Sequence, residues 1–451
     1  MWRDLPSLLL GNAPRHVVVQ ITDRCNASCP QCSMRCSAGF ARSTMPVETA
    51  LSVIEHASDA GVRALSFTGG EPMLDVNQLA RYIRFATARG IRYTCTGTNG
   101  YLFAGPDVGQ VATRARRLAD KLASAGLRNL WISLDSADPA VHEKMRGLPG
   151  VVLGIERVLP IFHEAGLYPA VNLGLTRLLG GPEPLSQRAG SDAFAAEARA
   201  GLRRFFTRAL ELGFTMANVC YPMSVEPQVD GLSAVYGATS EASLVRFTRA
   251  EKRALFGALR DVIPEFRSQL RIFTPLSAVD GLAAEYARVL PRPAGHACRG
   301  GVDFVFVDTR GRTHPCGYRG REDLGPFVTL DFEKLERVPH CRLCDWECFR
   351  DPSELFGPVA GPGHVFSTVA RSLQRRDRRL ALWRSDLHYC WSAGLFDGRR
   401  APNRARLAAF TPPDRTRRRQ TPSPPTAAEN RLRMVNPGEE MDSVMGEHAG
   451  A

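Results

Sequence analysis

Three cysteines, Cys25, Cys29 and Cys32, follow directly on the apolar run His16-Val-Val-Val-Gln-Ile-Thr22, and no other feature of this chain narrows its possible folds as much. Their C-x3-C-x2-C spacing puts three thiolates on one tight loop, too close together to pair off easily as disulfides. Soft sulfur ligands suit zinc or an iron–sulfur cluster. A cubane cluster takes four ligands, so three thiolates would leave one iron open for chemistry.

The chain has 12 cysteines, and a second group is spaced C-x2-C-x3-C at Cys341, Cys344 and Cys348. Clustered spacings without an export signal point to metal ligation rather than disulfides. The opening Met1-Trp-Arg-Asp-Leu-Pro-Ser-Leu-Leu-Leu10 has too short an apolar stretch for a signal peptide. No apolar run reaches the length of a bilayer span, so the expected location is the cytoplasm, with no membrane partner. The net charge of +12 suggests nucleic acid until it is located: residues 371–419 hold 14 Arg, no Lys and four Asp, which accounts for +10 of it. Aromatic residues are not interleaved through the basic run at 399–419, so stacking platforms for bases are missing there. A nucleic-acid enzyme is not expected.

From residue 16 the pattern is strand, loop, helix, repeated, which argues for α/β architecture with parallel strands. Strands are expected at 16–22, 64–68, 91–96, 130–134, 167–175 and 214–220, separated by helices at 46–60, 76–89, within 109–125, at 151–165 and at about 192–212. Six such units suit a partial (β/α)6 TIM-like barrel, although an open doubly wound sheet would give much the same string. The expected organisation is a lead-in at 1–15, the barrel at 16–235, a helical connection at 236–295, a small cysteine-rich domain with Arg-rich helices at 296–396, and a disordered tail at 397–451. A short extra strand is expected at 271–275. Turn signals, among them Asp351-Pro-Ser353, bound the cysteine-rich unit.

At the end of the second expected strand stands Ser66-Phe-Thr-Gly-Gly-Glu-Pro72. Together with the cysteine triad this resembles the radical S-adenosylmethionine (SAM) enzymes, in which three cysteines at this spacing follow the first barrel strand and a Gly-Gly-Glu motif follows the second. The resemblance implies that Cys25, Cys29 and Cys32 hold a [4Fe–4S] cluster, and that Gly69, Gly70 and Glu71 help hold the SAM amino group. It extends to Thr98-Asn99-Gly100 after the third strand, to Ser133 and Asp135 as contacts to SAM at the end of the fourth, and to the stretch from Asp138 to Gly147. Asn172 in the fifth strand is a further candidate to face the cofactor. One departure stands out. Many family members carry an aromatic residue just before the third cysteine, and here it is Gln31. Cys36 reads as a neighbouring thiol rather than a fourth ligand, Cys95 as a core thiol, and Cys220, closing the sixth strand, as a weak catalytic candidate facing substrate.

The second cysteine group begins at Cys298. Val302 to Arg312 reads as a hairpin that would bring Cys298 and Cys316 together at its base, and Cys341, Cys344 and Cys348 follow. This looks like a SPASM or twitch extension of radical SAM enzymes, contracted in its second half. The resemblance implies one auxiliary [4Fe–4S] cluster on four of these five thiols, with Cys390 a packed thiol, and leaves open a second cluster with an open iron. A structural zinc on the same thiols is the alternative. The implied activity is reductive cleavage of SAM to a 5′-deoxyadenosyl radical that oxidises or cross-links a substrate, fed by a flavodoxin- or ferredoxin-type electron donor. Peptide or protein maturation competes with small-molecule dehydrogenation or epimerisation. Maturases often carry a leader-binding domain ahead of the barrel, and the residues before His16 leave no room for one. The non-enzymatic alternative is a zinc-stabilised binding protein.

Overall fold

The computed structural model describes residues 13–32, 42–186, 191–222, 243–287, 296–361, five positions between 363 and 370, 378–395 and 397–412. Cys36 lies outside them. The strands are β1 (His16–Thr22), β2 (Ala64–Gly69), β3 (Tyr93–Thr98), β4 (Asn129–Ser133), β5 (Ala170–Gly174), β6 (Met216–Cys220), β7 (Arg271–Ile272), β8 (Phe304–Val307) and β9 (Thr313–His314). They form one sheet in the order β7-β6-β5-β4-β3-β2-β1-β8-β9. Every pairing is parallel except the β8–β9 hairpin. This is the expected α/β partial barrel, extended at both edges.

Side chains alternate across a strand, and the two faces differ sharply. On one face Val17, Val19, Leu65, Phe67, Ile132, Val171, Leu173 and Val219 join a single apolar core with residues of the crossover helices. Those helices are α1 (Val47–Asp59), α2 (Val76–Ala88), α3 (Val108–Ala125), α5 (Val151–Glu164), α6 (Ser191–Glu211), α7 (Arg249–Phe266) and α8 (Leu276–Ala287), while the short α4 (Pro139–Arg146) adds no residue to that core. The other face is only partly covered at Ser66, Thr68, Cys95, Gly97, Trp131, Ser133, Asn172, Gly174, Asn218 and Cys220. Small and polar residues there leave room that an apolar core would fill.

The structure departs from the sequence expectations in three places. The hairpin does not stand apart, because β8 pairs in parallel with β1 from His16↔Phe304 to Val19↔Val307. The barrel and the cysteine-rich region therefore belong to one compact unit, which extends to Thr411. Second, Asp351-Pro-Ser353 lies inside α9 (Glu347–Phe356). A proline removes an N–H from a helix interior, but side chains of α9 tie the helix to its surroundings. Arg350 pairs with Glu285 at 2.8 Å, and Tyr221 Oη donates to Asp351 Oδ1 at 3.0 Å.

Third, residues 397–412 are ordered although little in their composition announces it. Tyr168 N donates to Gly398 O at 2.7 Å and Gly398 N to Asn129 Oδ1 at 3.0 Å. Asn403 caps the short α11 (Arg404–Ala408), and Leu407 and Phe410 pack with Tyr389 and Leu395. The preceding α10 (Arg378–Ala393) is docked through Asp386, which is fully buried. The described arginines of this basic segment engage the protein itself: Arg379 pairs with Glu354, Arg378 with Asp280, and Arg399 donates to Ala123 O. No helix among the described residues is long and apolar enough to cross a membrane.

Candidate cofactor site

The cysteine loop leaves the C-terminal end of β1, and the end of β2 is pressed against it. Gly70 N donates to Thr22 O and Glu71 N to Arg24 O, both at 2.9 Å. A Cβ on Gly69 would lie 2.2 Å from Thr22 O, and one on Gly70 would lie 2.1 Å from Arg24 O and 2.9 Å from Cys25 Cβ. Only glycine permits this approach, so the two glycines shape the cradle around Cys25. Within the loop, Cys32 N donates to Cys29 O at 3.1 Å and Ala27 N to Cys25 Sγ at 3.4 Å.

Glu71 is buried beneath the loop. Its oxygens accept from Met73 N at 3.0 Å and Asn99 N at 2.7 Å. Burial raises its pKa to about 7 even though those N–H groups favour the anion. Asn99 in turn reaches the cysteine loop, donating to Asn26 Oδ1 at 2.9 Å. The Thr98-Asn99-Gly100 turn thus ties β3 to the loop, with Gly100 in the left-handed conformation at φ 82°.

Asp135, expected as a direct SAM contact, is 1% exposed and occupied by the protein itself. Arg146 holds it in a fork, Nε to Oδ2 at 2.6 Å and Nη2 to Oδ1 at 3.0 Å, while Gln31 Nε2 donates to Oδ2 at 2.9 Å. Asp135 N donates to His142 Nδ1 at 3.0 Å. Burial opposes ionisation of Asp135, but the Arg146 guanidinium and His142 outweigh it and hold the carboxyl well below the usual range. Gln31, in place of the expected aromatic, therefore links the cysteine loop to β4. His142 and Arg146 stand four apart on α4, on the face that meets Asp135. That spacing was the available signal for their joint role.

Ser133, Asn172 and Asn218 share one register level across β4, β5 and β6. Asn218 Nδ2 donates to Asn172 Oδ1 at 2.9 Å, and Cys220 Sγ donates to the same oxygen at 3.3 Å. Burial, then Glu347 and Cys348, push the Cys220 thiol well above its ordinary value. The sequence reading passed over Asn218 and Glu347. Tyr221 N donates to Glu347 Oε2 at 3.3 Å, so the start of α9 meets the end of β6.

The second cysteine group gathers in one buried cluster. Cys298 and Cys341 form an antiparallel bridge with Cys298 N donating to Cys341 O at 2.9 Å, and Cys316 follows β9 at the base of the hairpin. Burial, then each other's charge, raise the thiols of Cys298 to about 11 and Cys316 to about 12, and raise Cys344 well above its ordinary value. Cys348 is raised by burial, then by Glu347, Asp351 and Cys95. Cys298, Cys316 and Cys341 share one buried cluster, and Cys344 and Cys348, the latter in the first turn of α9, both pack against it. Cys390 packs beside Tyr389 and Phe410, apart from this group. None of the described cysteines is in a disulfide, and among the described residues no three His, Cys, Asp or Glu side chains lie close enough to clasp a single metal ion.

Thiols on the β1 loop, a glycine cradle on β2 and polar side chains along β3–β6, all at the C-terminal ends of parallel strands, define a cofactor-binding partial barrel. A model of the radical SAM superfamily matches residues 19–195. The chain is 31% identical over 324 residues to the PqqA peptide cyclase of Xanthomonas campestris pv. campestris (strain B100), covering 71% of each protein. It is 24% identical over 313 residues to the AdoMet-dependent heme synthase of Methanosarcina barkeri (strain Fusaro / DSM 804), covering 69% of this chain and 79% of that one. Among solved structures, native anSMEcpe with bound AdoMet and the Kp18Cys peptide aligns with 72% of this chain and 82% of its own, at 16% identity and a TM-score of 0.48. The chain belongs to the radical SAM superfamily, and it is an enzyme. Membership implies a [4Fe–4S] cluster and SAM, and the residues fit the cluster: three thiols stand on one loop, which Gly69 and Gly70 allow to pack directly on the end of β2.

Proposed function

We propose that this enzyme oxidises or cross-links a peptide, with a catalytic [4Fe–4S] cluster on Cys25, Cys29 and Cys32 and an auxiliary [4Fe–4S] cluster on Cys298, Cys316, Cys341 and Cys344. The observation that carries this reading is the gathering of the second cysteine group in one buried cluster. Four thiols make the ligand count of one cubane, and we assign Cys298, Cys316, Cys341 and Cys344, leaving Cys348 at the start of α9 outside. When bound and reduced, the first cluster and SAM supply a radical able to take a hydrogen atom from substrate. The chain's own residues hold the pieces around it. Gly69 and Gly70 let the cysteine loop seat on the end of β2, Ser133 and Asn172 offer polar contacts to the cofactor, and Cys220 stands where substrate would meet the end of β6.

The auxiliary cluster would take the electron left on an oxidised substrate, and a flavodoxin- or ferredoxin-type protein would reduce the catalytic one. Kinship with the PqqA peptide cyclase favours a peptide over a small molecule. The open sheet face supports it too. Apart from the indole of Trp131, its partly covered residues from Ser66 to Cys220 are hydroxyl, amide, thiol and small side chains, which suit neutral peptide amides better than the carboxylates of a heme-type substrate.

Anaerobic reconstitution with iron and sulfide, followed by assay for 5′-deoxyadenosine from SAM with dithionite, tests this directly. About eight irons per chain are expected, falling to about four in C298A/C341A with SAM cleavage retained, and staying near eight in C348A. Bound zinc without SAM cleavage, or loss of iron in C348A equal to that in C298A/C341A, would overturn the assignment.

A further inference from the structure

The last turn of α4 is stitched to the cysteine loop. Ser28 N donates to Arg146 O at 3.1 Å. Gly147, left-handed at φ 67°, approaches so closely that a Cβ would lie 2.7 Å from Ser28 Oγ. Gln31 adds a third link, from the residue before Cys32 to Asp135. Between these ties the Arg146 guanidinium is held by both oxygens of Asp135 and is 13% exposed.

A cluster on these thiols gains one negative charge when it is reduced. A fixed cation beside it stabilises the reduced form, and a fixed anion opposes it, with little water between to screen either. Arg146 and Asp135 are both held against the loop, so each bears on that charge, with opposite sign. We propose that Arg146, oriented by Asp135 and Gln31, is the positioning residue that sets the reduction potential of the cluster at Cys25, Cys29 and Cys32. This rests on the reading that those thiols hold the catalytic cluster. Gln31 then serves to anchor the charge pair rather than to cover an adenine.

The test is an EPR-monitored redox titration of the full-length, reconstituted protein at pH 8, following the signal that changes when SAM is added. That change separates the catalytic cluster from any other. R146Q leaves Asp135 as the uncompensated charge, and at the wild-type midpoint its ratio of reduced to oxidised cluster falls about tenfold, which is about 59 mV for one electron. D135N leaves Arg146 uncompensated and raises the same ratio. R146K falls less than R146Q. Because R146Q strands a buried carboxylate and can fail to fold, D135N/R146Q is measured beside it, and its midpoint lies between those of the two single variants.

Loosening the loop would lower iron content in both single variants and would not move their potentials in opposite directions. Shifts of the same sign, or none, overturn the inference while the cluster reading stands. A wild-type protein with no SAM-sensitive signal overturns both.

Discussion

Glu71 shows at one residue how burial and function pull apart. Its ordinary pKa of 4.5 is raised to about 7 by burial in the folded chain. The folded state therefore keeps a proton that the unfolded state has released, and stability falls as pH rises from about 4.5 to about 7. In E71Q that contribution is gone. The unfolding free energy of wild type relative to E71Q should therefore drop by about 3 kcal/mol between pH 4 and pH 8 in urea titrations of the metal-free protein. A difference that does not change with pH would show that the N–H groups of Met73 and Asn99 hold the carboxylate charged throughout. At this scale the sequence was most legible where chemistry is local. Three thiols on one loop and two glycines one unit later announce themselves by spacing. The clamp of Gln31, Asp135 and Arg146 does not, because a glutamine 104 positions from its aspartate leaves no pattern. Cys348 is legible only as one of five thiols: it packs against the same cluster as Cys344, and spacing does not say which four would share a site.

Among the elements, α10 gives the clearest case of one helix completing another. Asp386 Oδ1 accepts from Arg267 at 2.7 Å and from Leu276 N at 3.0 Å, and Oδ2 accepts from Ser277 N at 2.8 Å and Ser277 Oγ at 2.7 Å. A side chain from α10 thus caps the start of α8, whose first N–H groups have no partner in their own helix. D386A removes that cap and leaves Arg267 buried without its charge partner. The expected loss is about 3–5 kcal/mol in urea denaturation, with D386N losing less because one acceptor oxygen remains. A loss below about 1 kcal/mol would mean that water takes over the cap. Helices with local signals were readable, as with α7, where Thr248 and Glu251 form a capping box. α9 was not, since Pro352 reads as a break until the surrounding buried contacts are known. β8 was read as part of a separate hairpin because its strand pattern carries no mark of which strand it will pair with.

For the whole molecule, the sheet has two working ends. The cysteine loop, Gly69, Ser133 and Cys220 lie at the C-terminal end of the strands, and residues 397–412 cover part of the other end around Arg128, Asn129 and Tyr168. Gly398 is fitted there closely, since a Cβ would lie 2.5 Å from Arg128 O and 2.8 Å from Asn129 Oδ1. Asn129 also donates to the thiol of Cys95 at 3.8 Å, which links the C-terminal segment to a cysteine on the open sheet face. A chain ending at Ala393 loses the contacts of Asp397 and Gly398, and exposes Cys390 by removing Leu395 and Phe410. Alkylation of the metal-free protein by iodoacetamide, mapped by peptide mass spectrometry, should then speed up on the order of tenfold at Cys95 and Cys390, because local opening there costs about 1.4 kcal/mol less. Cys220 lies at the opposite end of its strand and should react at its former rate. Equal acceleration at all three cysteines would mean that the segment holds the whole sheet together rather than closing its base.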